Sequence, residues 1–260
     1  MNGRNPLWTF SGVRQAAWLF FAFLYIPILV LVVLSFNSGQ SATLWESFSL
    51  KWYAVVANDP EILRAAKNSL IVATLATLAS TVLATLAALG MRGRAFRGQT
   101  LMNGVLGLPL LVPEIVTAVA TLMFFSFIGL KLSLFTILIA HIVFCIPFAY
   151  LPIRARLEGL DPRLAEAAAD LYASPWKAFW KITLPLLMPG VLSGAMLAFI
   201  ISMDDFVITY FVAGATTLPV YIFSSIRMGI SPKINAISSI ILMISIAFVA
   251  LSYYLGQRRR

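Results

Sequence analysis

The stretch LLMPGVLSGAMLAFIISMDDFVITYFV, residues 186–212, decides the fold class, because two adjacent aspartates are its only charged residues. A helix needs about 20 predominantly apolar residues to cross a bilayer. Over all 260 residues, 60% are hydrophobic, 11% are charged and the mean hydropathy is +0.91, whereas soluble domains have about 25% charged residues. These values exclude a soluble globular enzyme and a disordered chain, and they indicate an integral membrane protein.

Six apolar stretches along the chain are each long enough to cross a bilayer. Their approximate bounds are 18–36, 68–90, 101–128, 133–151, 186–212 and 235–255. The sequence therefore predicts an all-α integral membrane protein, built as a single transmembrane domain over residues 1–260.

The basic residues are divided unevenly between the two sides that six spans define. Thirteen of the 19 lie on one side: Arg4, Arg14, Arg92, Arg94, Arg97, Arg154, Arg156, Arg163, Lys177, Lys181, Arg258, Arg259 and Arg260. Cytoplasmic loops carry an excess of Lys and Arg, so we predict that both termini and the connection 152–185 are cytoplasmic. The net charge of +9 is then a signal of topology, and we expect no nucleic-acid partner.

Other residues carry weaker signals. The outer connection 37–67 contains Trp45, Trp52 and Tyr53, and aromatic residues of this kind are enriched at membrane interfaces. We expect them to contact membrane lipid, with docking of a partner protein as the alternative. Cys145 lies in an apolar run, and we expect it to be a small buried side chain. The sequence shows no Cys/His cluster for a metal and no Gly-rich phosphate loop.

The cytoplasmic connection 152–185 has helix signals of its own. Asp161 followed by Pro162 is typical of a helix start, and the alanines at 165 and 167–169 favour helix. Ser174-Pro175 repeats the start signal. We expect two short helices joined near Tyr172, the second running to about residue 183, where Leu184-Pro185 ends it and the fifth span begins.

Four segments together support a family resemblance. The first combines Glu166-Ala167-Ala168, position 172, Ile182 and Leu184-Pro185 at fixed offsets; the others are PLLVPE (109–114), HIVFCIPF (141–148) and SMDDF (202–206). The first resembles the EAA loop of the membrane subunits of bacterial binding-protein-dependent ABC importers, of type I. With the other three, the chain is similar to the permeases of spermidine/putrescine importers, and among these to the second, C-type, subunit.

The resemblance implies a role in transport and no reaction on this chain. It implies the type I permease fold, a location as a multi-pass protein in the bacterial inner membrane, and four kinds of partner: a second permease in a heterodimer, a dimer of ATPase subunits, a periplasmic polyamine-binding protein and lipid. ATP and Mg would be bound by the ATPase, so this chain would hold no cofactor, no metal and no catalytic residue. The residues implied in ATPase coupling are Glu166, Ala167, Ala168, Asp170, Leu171, Tyr172 and Ala173.

One position departs from the family pattern. Where the family has glycine, this chain has Tyr172. Glycine suits a turn with positive φ, which costs other residues roughly 1 kcal/mol. The difference leaves the turn geometry at Tyr172 open.

Three carboxylates fall within or at the edge of apolar spans: Glu114, Asp204 and Asp205. A charge at the bilayer centre costs about 2.5–3.5 kcal/mol even on a mild scale, so such groups face a partner, a cavity or a substrate path. Pro109 and Pro113 are expected to kink or break the helix before Glu114. Given the resemblance, we expect the three acids to bind the ammonium groups of a polyamine, and Phe206 and Tyr210 to contact its methylene chain.

Alternatives remain for each of these residues. The aspartates could lie at an interfacial helix end or bind the partner permease, Glu114 could bind the kinked backbone, and the two aromatic rings could pack against lipid or helices. His141 is expected to form an interhelical hydrogen bond, with a proton relay as the sharper alternative.

Two alternative functions are also open. One is import of another small solute, such as an anion or an amino acid. The other is an intramembrane enzyme that uses Asp204 and Asp205 as an acid–base or metal pair. Adjacent helical residues point about 100° apart, which disfavours a common site.

Overall fold

The computed structural model describes the backbone of residues 11–92, 96–161, 163–229 and 231–257, and the side chains of these ranges apart from 11, 165 and 248–257. The described residues are almost wholly helical. The helices are α1 (Ser11–Leu34), α2 (Lys51–Asn58), α3 (Pro60–Gly90), α4 (Gln99–Leu111), α5 (Glu114–Phe127), α6 (Leu134–Glu158), α7 (Arg163–Asp170), α8 (Pro175–Ala178), α9 (Leu184–Asp204), α10 (Val207–Val212), α11 (Leu218–Met228) and α12 (Pro232–Gln257). The predictions made for Arg4, Arg94, Pro162, Arg258, Arg259 and Arg260 lie outside the described residues.

Four helical segments of the described chain are long and apolar enough to cross a bilayer, and each overlaps one of the six predicted spans. They are Gly12–Leu34, Pro60–Gly90, Leu134–Glu158 and Pro175–Asp204. The pair α4 and α5 forms a fifth, broken segment. The sixth predicted span falls in α12 and stays a prediction, as do the cytoplasmic position of the termini and the single domain.

The third predicted span is broken between α4 and α5. Val112 and Pro113 are extended, with ψ of 131° and 134°, and the two helices meet at an angle of 111°. A proline lacks the N–H for the helical ladder and disfavours helical geometry in the residue before it. The expected break is confirmed, and it makes Glu114 the first residue of a new helix.

The fifth predicted span differs from the structure at both ends. Leu184-Pro185 does not end the preceding helix: α8 continues through five π-helical residues, Phe179–Thr183, directly into α9. Pro185 supplies no N–H to the helical ladder, and the π-helical residues directly before it change the hydrogen-bond spacing at that point. At the other end, the helix stops at Asp204 and a separate short helix, α10, follows, so one continuous helix over 186–212 is wrong.

Contacts divide the chain into two compact units, residues 64–221 and residues 1–63 with 222–260. Within the first unit, glycines let α6 and α9 approach closely. A Cβ atom at Gly194 would lie 2.6 Å from the carbonyl oxygen of Ala149, and one at Gly190 would lie 2.5 Å from the Cβ of Arg156. Small residues spaced four apart are typical of tight helix pairs in membranes.

The second unit is held by polar contacts around the connection that follows α1. Asn37 is fully buried, donates to the carbonyl oxygens of Ser41 and Leu44, and accepts the N–H of Glu46 at 2.8 Å. Trp52 donates to the carbonyl of Gly39, and Lys233 pairs with Asp59 at 2.5 Å. The Trp52 indole, predicted to contact lipid, thus also bonds the backbone of its own connection.

Candidate functional site

The break between α9 and α10 separates the two adjacent aspartates. Asp204 is the last residue of α9 and is not covered by this chain, whereas Asp205 is 6% exposed. Asp205 is extended, with ψ of 122°. The two carboxylates therefore occupy different environments, which counts against the acid–base or metal pair of the enzyme alternative.

The Asp205 carboxylate caps the N-terminus of α10. Its Oδ1 accepts the N–H of Ile208 at 3.2 Å, and its Oδ2 accepts the N–H and the hydroxyl of Thr209, both at 2.9 Å. Free N–H groups at a helix start are commonly satisfied by a preceding Asp. Asp205 therefore defines where the chain resumes a helix after the break.

His141, near the middle of α6, joins this carboxylate from another helix. Its Nε2 lies 3.0 Å from Oδ2 of Asp205 and 2.8 Å from Oγ1 of Thr209, and its Nδ1 lies 2.8 Å from Oγ of Ser202. The predicted interhelical hydrogen bond is confirmed. Sequence reasoning found no acid for His141, because its partner is 64 positions away and only the fold brings the two together.

Glu114 brings a third carboxylate to the same place. It is half-buried at the start of α5, its carboxyl interacts with that of Asp205, and Asp204 is near enough to add negative charge. Two carboxylates this close repel each other unless a proton or a cation lies between them. The structure thus assembles the three predicted acids from two predicted spans into one cluster.

Phe206 and Tyr210 lie beside this cluster and pack against each other. Their ring centroids are 5.4 Å apart, and Tyr210 also contacts Phe211 at 5.8 Å. Tyr210 remains 43% exposed. These ring contacts lie within one short helix and its N-cap residue, so substrate contact and packing against lipid or other helices both stay predictions.

The connection 152–185, predicted to be cytoplasmic, contains α7 as the first predicted short helix; the second begins at α8 as predicted but continues into α9. Asp161 accepts the N–H of Arg163 at 2.9 Å, and the Arg163 guanidinium beside it lowers the pKa of the Asp161 carboxyl. Ser174 accepts the N–H of Lys177, with Pro175 in the first turn. Both predicted starts are confirmed by these contacts.

Tyr172 adopts the left-handed conformation that the family's glycine would favour. Its φ is 55°, the one positive value among the described non-glycine residues. The Ala173 N–H donates to the carbonyl of Ala168 at 3.0 Å, and the Tyr172 N–H donates to that of Ala169 at 2.9 Å, which is the Schellman pattern of a helix end. The turn geometry is kept despite the side chain.

The residues predicted for ATPase coupling form one exposed tip. Glu166, Ala167 and Asp170 are exposed on α7, and Ala173 is partly buried. Leu171 is 82% exposed and Tyr172 98%, while Ala168 faces inward at 3%. The tip thus presents two large apolar side chains that this chain does not cover.

Comparison with known proteins decides the family. Residues 13–260 match the family described as the binding-protein-dependent transport system inner membrane component. The chain belongs to this family. The family match confirms the predicted recognition and a multi-pass inner-membrane component.

Named relatives of this family are transport permeases, which confirms a transport role over an enzymatic one. The chain is 38% identical over 239 residues to the spermidine/putrescine transport system permease protein PotC of Escherichia coli K12, covering 91% of this chain and 90% of that one. It is 41% identical over 231 residues to the putrescine transport system permease protein PotI of the same strain, covering 85% and 82%.

Solved structures of family transporters share the fold. A bacterial ABC transporter that imports the acidic polysaccharide alginate matches with a TM-score of 0.68 at 19% identity, covering 95% of each chain. An amino acid ABC transporter matches with a TM-score of 0.62 at 16% identity, covering 80% of this chain and 98% of that one. The type I importer permease fold predicted from the resemblance is confirmed.

Proposed function

We propose that this chain is one of two permease subunits of an ATP-driven importer of polyamines and that it forms half of the translocation path. PotC and PotI are named for spermidine and putrescine, and the chain resembles them over most of its length. The transporters of alginate and of an amino acid share the fold at 19% and 16% identity. The fold alone therefore does not choose a substrate, and the choice depends on the site.

The cluster of Glu114, Asp204 and Asp205 is the observation that carries the proposal. No Lys or Arg of the described chain is among the interaction partners of Glu114 or Asp205. Carboxylates within an apolar span that are not paired with Lys or Arg favour a cationic solute and disfavour an anion. A polyamine offers ammonium groups to these acids and a methylene chain to Phe206 and Tyr210.

The remaining parts of the assembly follow from the family. The chain would cross the bacterial inner membrane six times with both termini in the cytoplasm and would pair with a second permease. A periplasmic polyamine-binding protein would deliver the substrate; one alginate transporter of the same fold has been solved with a periplasmic protein. ATP and Mg would be bound by a dimer of ATPase subunits rather than by this chain.

The tip of α7 is the surface we assign to the ATPase. It combines the exposed Glu166 and Asp170 with Leu171 and Tyr172, whose side chains are 82% and 98% exposed. Strained left-handed residues persist where a function requires them, and Tyr172 is such a residue. A pair of apolar side chains at a polar cytoplasmic tip fits contact with a soluble subunit.

The substrate is tested with the assembled transporter in proteoliposomes that contain its binding protein. We expect spermidine or putrescine to stimulate ATP hydrolysis and to be taken up, and we expect Asp204→Asn to reduce uptake at least tenfold at low substrate concentration. Glu61→Gln is the matched control, because Glu61 is an exposed carboxylate in the first turn of α3. Stimulation by an amino acid or an anion instead of polyamines would refute the proposed substrate.

The docking surface is tested by charge reversal. Glu166→Lys should uncouple ATP hydrolysis from uptake without loss of the permease from the membrane. Glu158→Lys makes the same change at an exposed site in the last turn of α6, where it breaks an ion pair with Arg154, and should leave coupling intact. Normal uptake by Glu166→Lys would remove α7 from the ATPase interface.

A further inference from the structure

A polar network is buried where α6, α9 and α10 meet. Its members are His141, Ser202, Asp205 and Thr209, with exposed fractions of 1%, 5%, 6% and 0%. Burying polar groups is costly unless each is hydrogen-bonded. The network therefore has a specific arrangement, and its hydrogen bonds show which of the adjacent aspartates can bind a passing cation.

The hydrogen bonds occupy the Asp205 carboxylate. An ionised carboxylate has about four lone-pair sites. Asp205 accepts from the N–H groups of Ile208 and Thr209 and from the Thr209 hydroxyl, and the Nε2 of His141 lies 3.0 Å from Oδ2. Oδ2 thus accepts two hydrogen bonds and faces Nε2, and Oδ1 accepts one, so at most one lone-pair site, on Oδ1, is free for a substrate ammonium group. The Glu114 carboxyl also interacts with this buried carboxylate.

The same contacts fix the imidazole. Nε2 lies 2.8 Å from the Thr209 hydroxyl oxygen, whose own hydrogen is donated to Asp205, so Nε2 carries a hydrogen and donates it to Thr209. Nδ1 then lies 2.8 Å from the Ser202 hydroxyl, which donates to a neutral ring and accepts from a charged one. The network is thus satisfied in either charge state of His141, and its geometry does not depend on which is present.

The position of Asp204 follows from this anchoring. His141 and Thr209 hold Asp205 in an extended conformation, α9 ends one residue earlier, and Asp204 is left uncovered by the chain. If Asp205 were released, the break would lose its hydrogen-bonded partner and the direction of Asp204 would no longer be fixed.

We propose that His141 is a positioning residue for the cation path: it anchors Asp205 as a structural carboxylate so that the uncovered Asp204 is the one that meets the cation. The division of the two aspartates stands on the hydrogen bonds alone. The kinetic part rests on the proposed function, so two experiments are needed, one of them independent of any substrate.

The first experiment measures access to each aspartate position in the full transporter, reconstituted in liposomes. Asp204→Cys and Asp205→Cys are made with Cys145→Ala and reacted with a water-soluble, positively charged methanethiosulfonate. Position 204 should react at least tenfold faster than position 205, and adding His141→Leu to Asp204→Cys, where Asp205 is intact, should change the rate at 204 at least threefold. Equal rates at the two positions, or an unchanged rate at 204 with His141→Leu, would overturn the anchoring whatever the substrate is.

The second experiment separates KM from the maximal rate of polyamine uptake. His141→Leu should raise KM about tenfold in the wild-type background and less than twofold in an Asp204→Asn background. His141→Gln, which keeps one donor and one acceptor, should restore KM to within about threefold. A lower maximal rate with unchanged KM, or an equal KM effect in both backgrounds, would reduce His141 to a folding role.

A milder variant covers the case in which His141→Leu does not assemble. Thr209→Val removes one hydroxyl from the network at nearly constant shape and should raise KM about threefold with a normal elution profile of the complex. An unchanged KM in Thr209→Val, together with a labelling rate at 204 that Thr209→Val leaves unaltered, would refute the proposal. Normal labelling results without polyamine uptake would instead refute the proposed substrate and leave the anchoring intact.

Discussion

Replacing Tyr172 by alanine and by glycine separates the backbone of the coupling tip from its side chain. Tyr172→Ala removes the ring and keeps the backbone restriction of a residue with a Cβ atom. Tyr172→Gly removes both. Because the ring is 98% exposed, the alanine variant should scarcely change the stability of the free tip, and the difference between the two variants reports the strain at φ of 55°.

The size of the strain can be estimated from the conformation. A left-handed residue with a Cβ atom costs roughly 1–2 kcal/mol, and glycine gives back about 0.4–1 kcal/mol through the greater freedom of the unfolded chain. The net gain is about 0.5–1 kcal/mol. Since about 1.4 kcal/mol corresponds to a factor of ten, the glycine variant should open locally about two- to fivefold less often than the alanine variant.

Hydrogen exchange of the peptide that covers α7 and its C-terminal turn measures this opening. The informative amides are those of Tyr172 and Ala173, which bond the carbonyls of Ala169 and Ala168. In the permease alone, exchange at both should be about two- to fivefold slower in Tyr172→Gly than in Tyr172→Ala. In the assembled transporter, both variants should lose coupling if the ring contacts the ATPase.

Equal exchange in the two variants would refute the strain at Tyr172, and full coupling in both would refute the ring contact. Faster exchange in the glycine variant would show that the turn is held by the side chain rather than by the Schellman hydrogen bonds. The two readouts are independent, because the first concerns the isolated permease and the second the complex.

Two further predictions concern stability. Gly194→Ala should lower the free energy of unfolding by about 1–2 kcal/mol, because overpacking costs roughly 1–3 kcal/mol and the helix propensity of Ala returns part of it. Gly104→Ala, where a Cβ meets nothing within 4 Å, should raise the free energy of unfolding slightly. Equal shifts of the two variants in a thermal melt would refute the close helix contact. The Lys233 ammonium lowers the pKa of Asp59, so the pair should stabilise the fold fully above the unfolded Asp pKa of about 3.9 and lose this effect as pH falls through the lower folded pKa. In thermal melts between pH 6 and pH 3, the unfolding temperature should fall less in Lys233→Met than in the wild type. Parallel curves for the two proteins would show that the Asp59–Lys233 ion pair does not contribute to stability.

The break in the third predicted span was readable from the sequence, whereas the break in the fifth was not. Pro109 and Pro113 act on their own backbone, so their effect is local and visible in the residue pattern. The residues 186–212 stay apolar across Asp204 and Asp205, and no proline or glycine marks the point where α9 stops. At the break, the Asp205 carboxylate accepts the N–H groups of Ile208 and Thr209 and lies 3.0 Å from His141. His141 is on a helix 64 residues earlier, and no local pattern contains that contact.

The candidate site shows the same division. The residue type and approximate depth of Glu114, Asp204 and Asp205 were predictable, because charge in an apolar span is conspicuous. The different burial of Asp204 and Asp205 was not predictable. Helical periodicity indicates that adjacent side chains point in different directions, but it does not indicate which of them is buried. At Tyr172 the backbone takes a left-handed conformation that non-glycine residues disfavour. The hydrogen bonds from Ala173 and Tyr172 to the carbonyls of Ala168 and Ala169 stabilise it, and the sequence alone did not predict which conformation the turn adopts.

One uninterrupted helix over Pro175–Asp204 connects the tip of α7 with the carboxylate cluster. Its 30 residues correspond to about 45 Å at 1.5 Å per residue. It begins three residues after Tyr172 and ends at Asp204. If the tip binds the ATPase and Asp204 binds the cation, as proposed above, a tilt of about 5° at the tip would displace Asp204 by about 4 Å over that length. This displacement exceeds the length of a hydrogen bond.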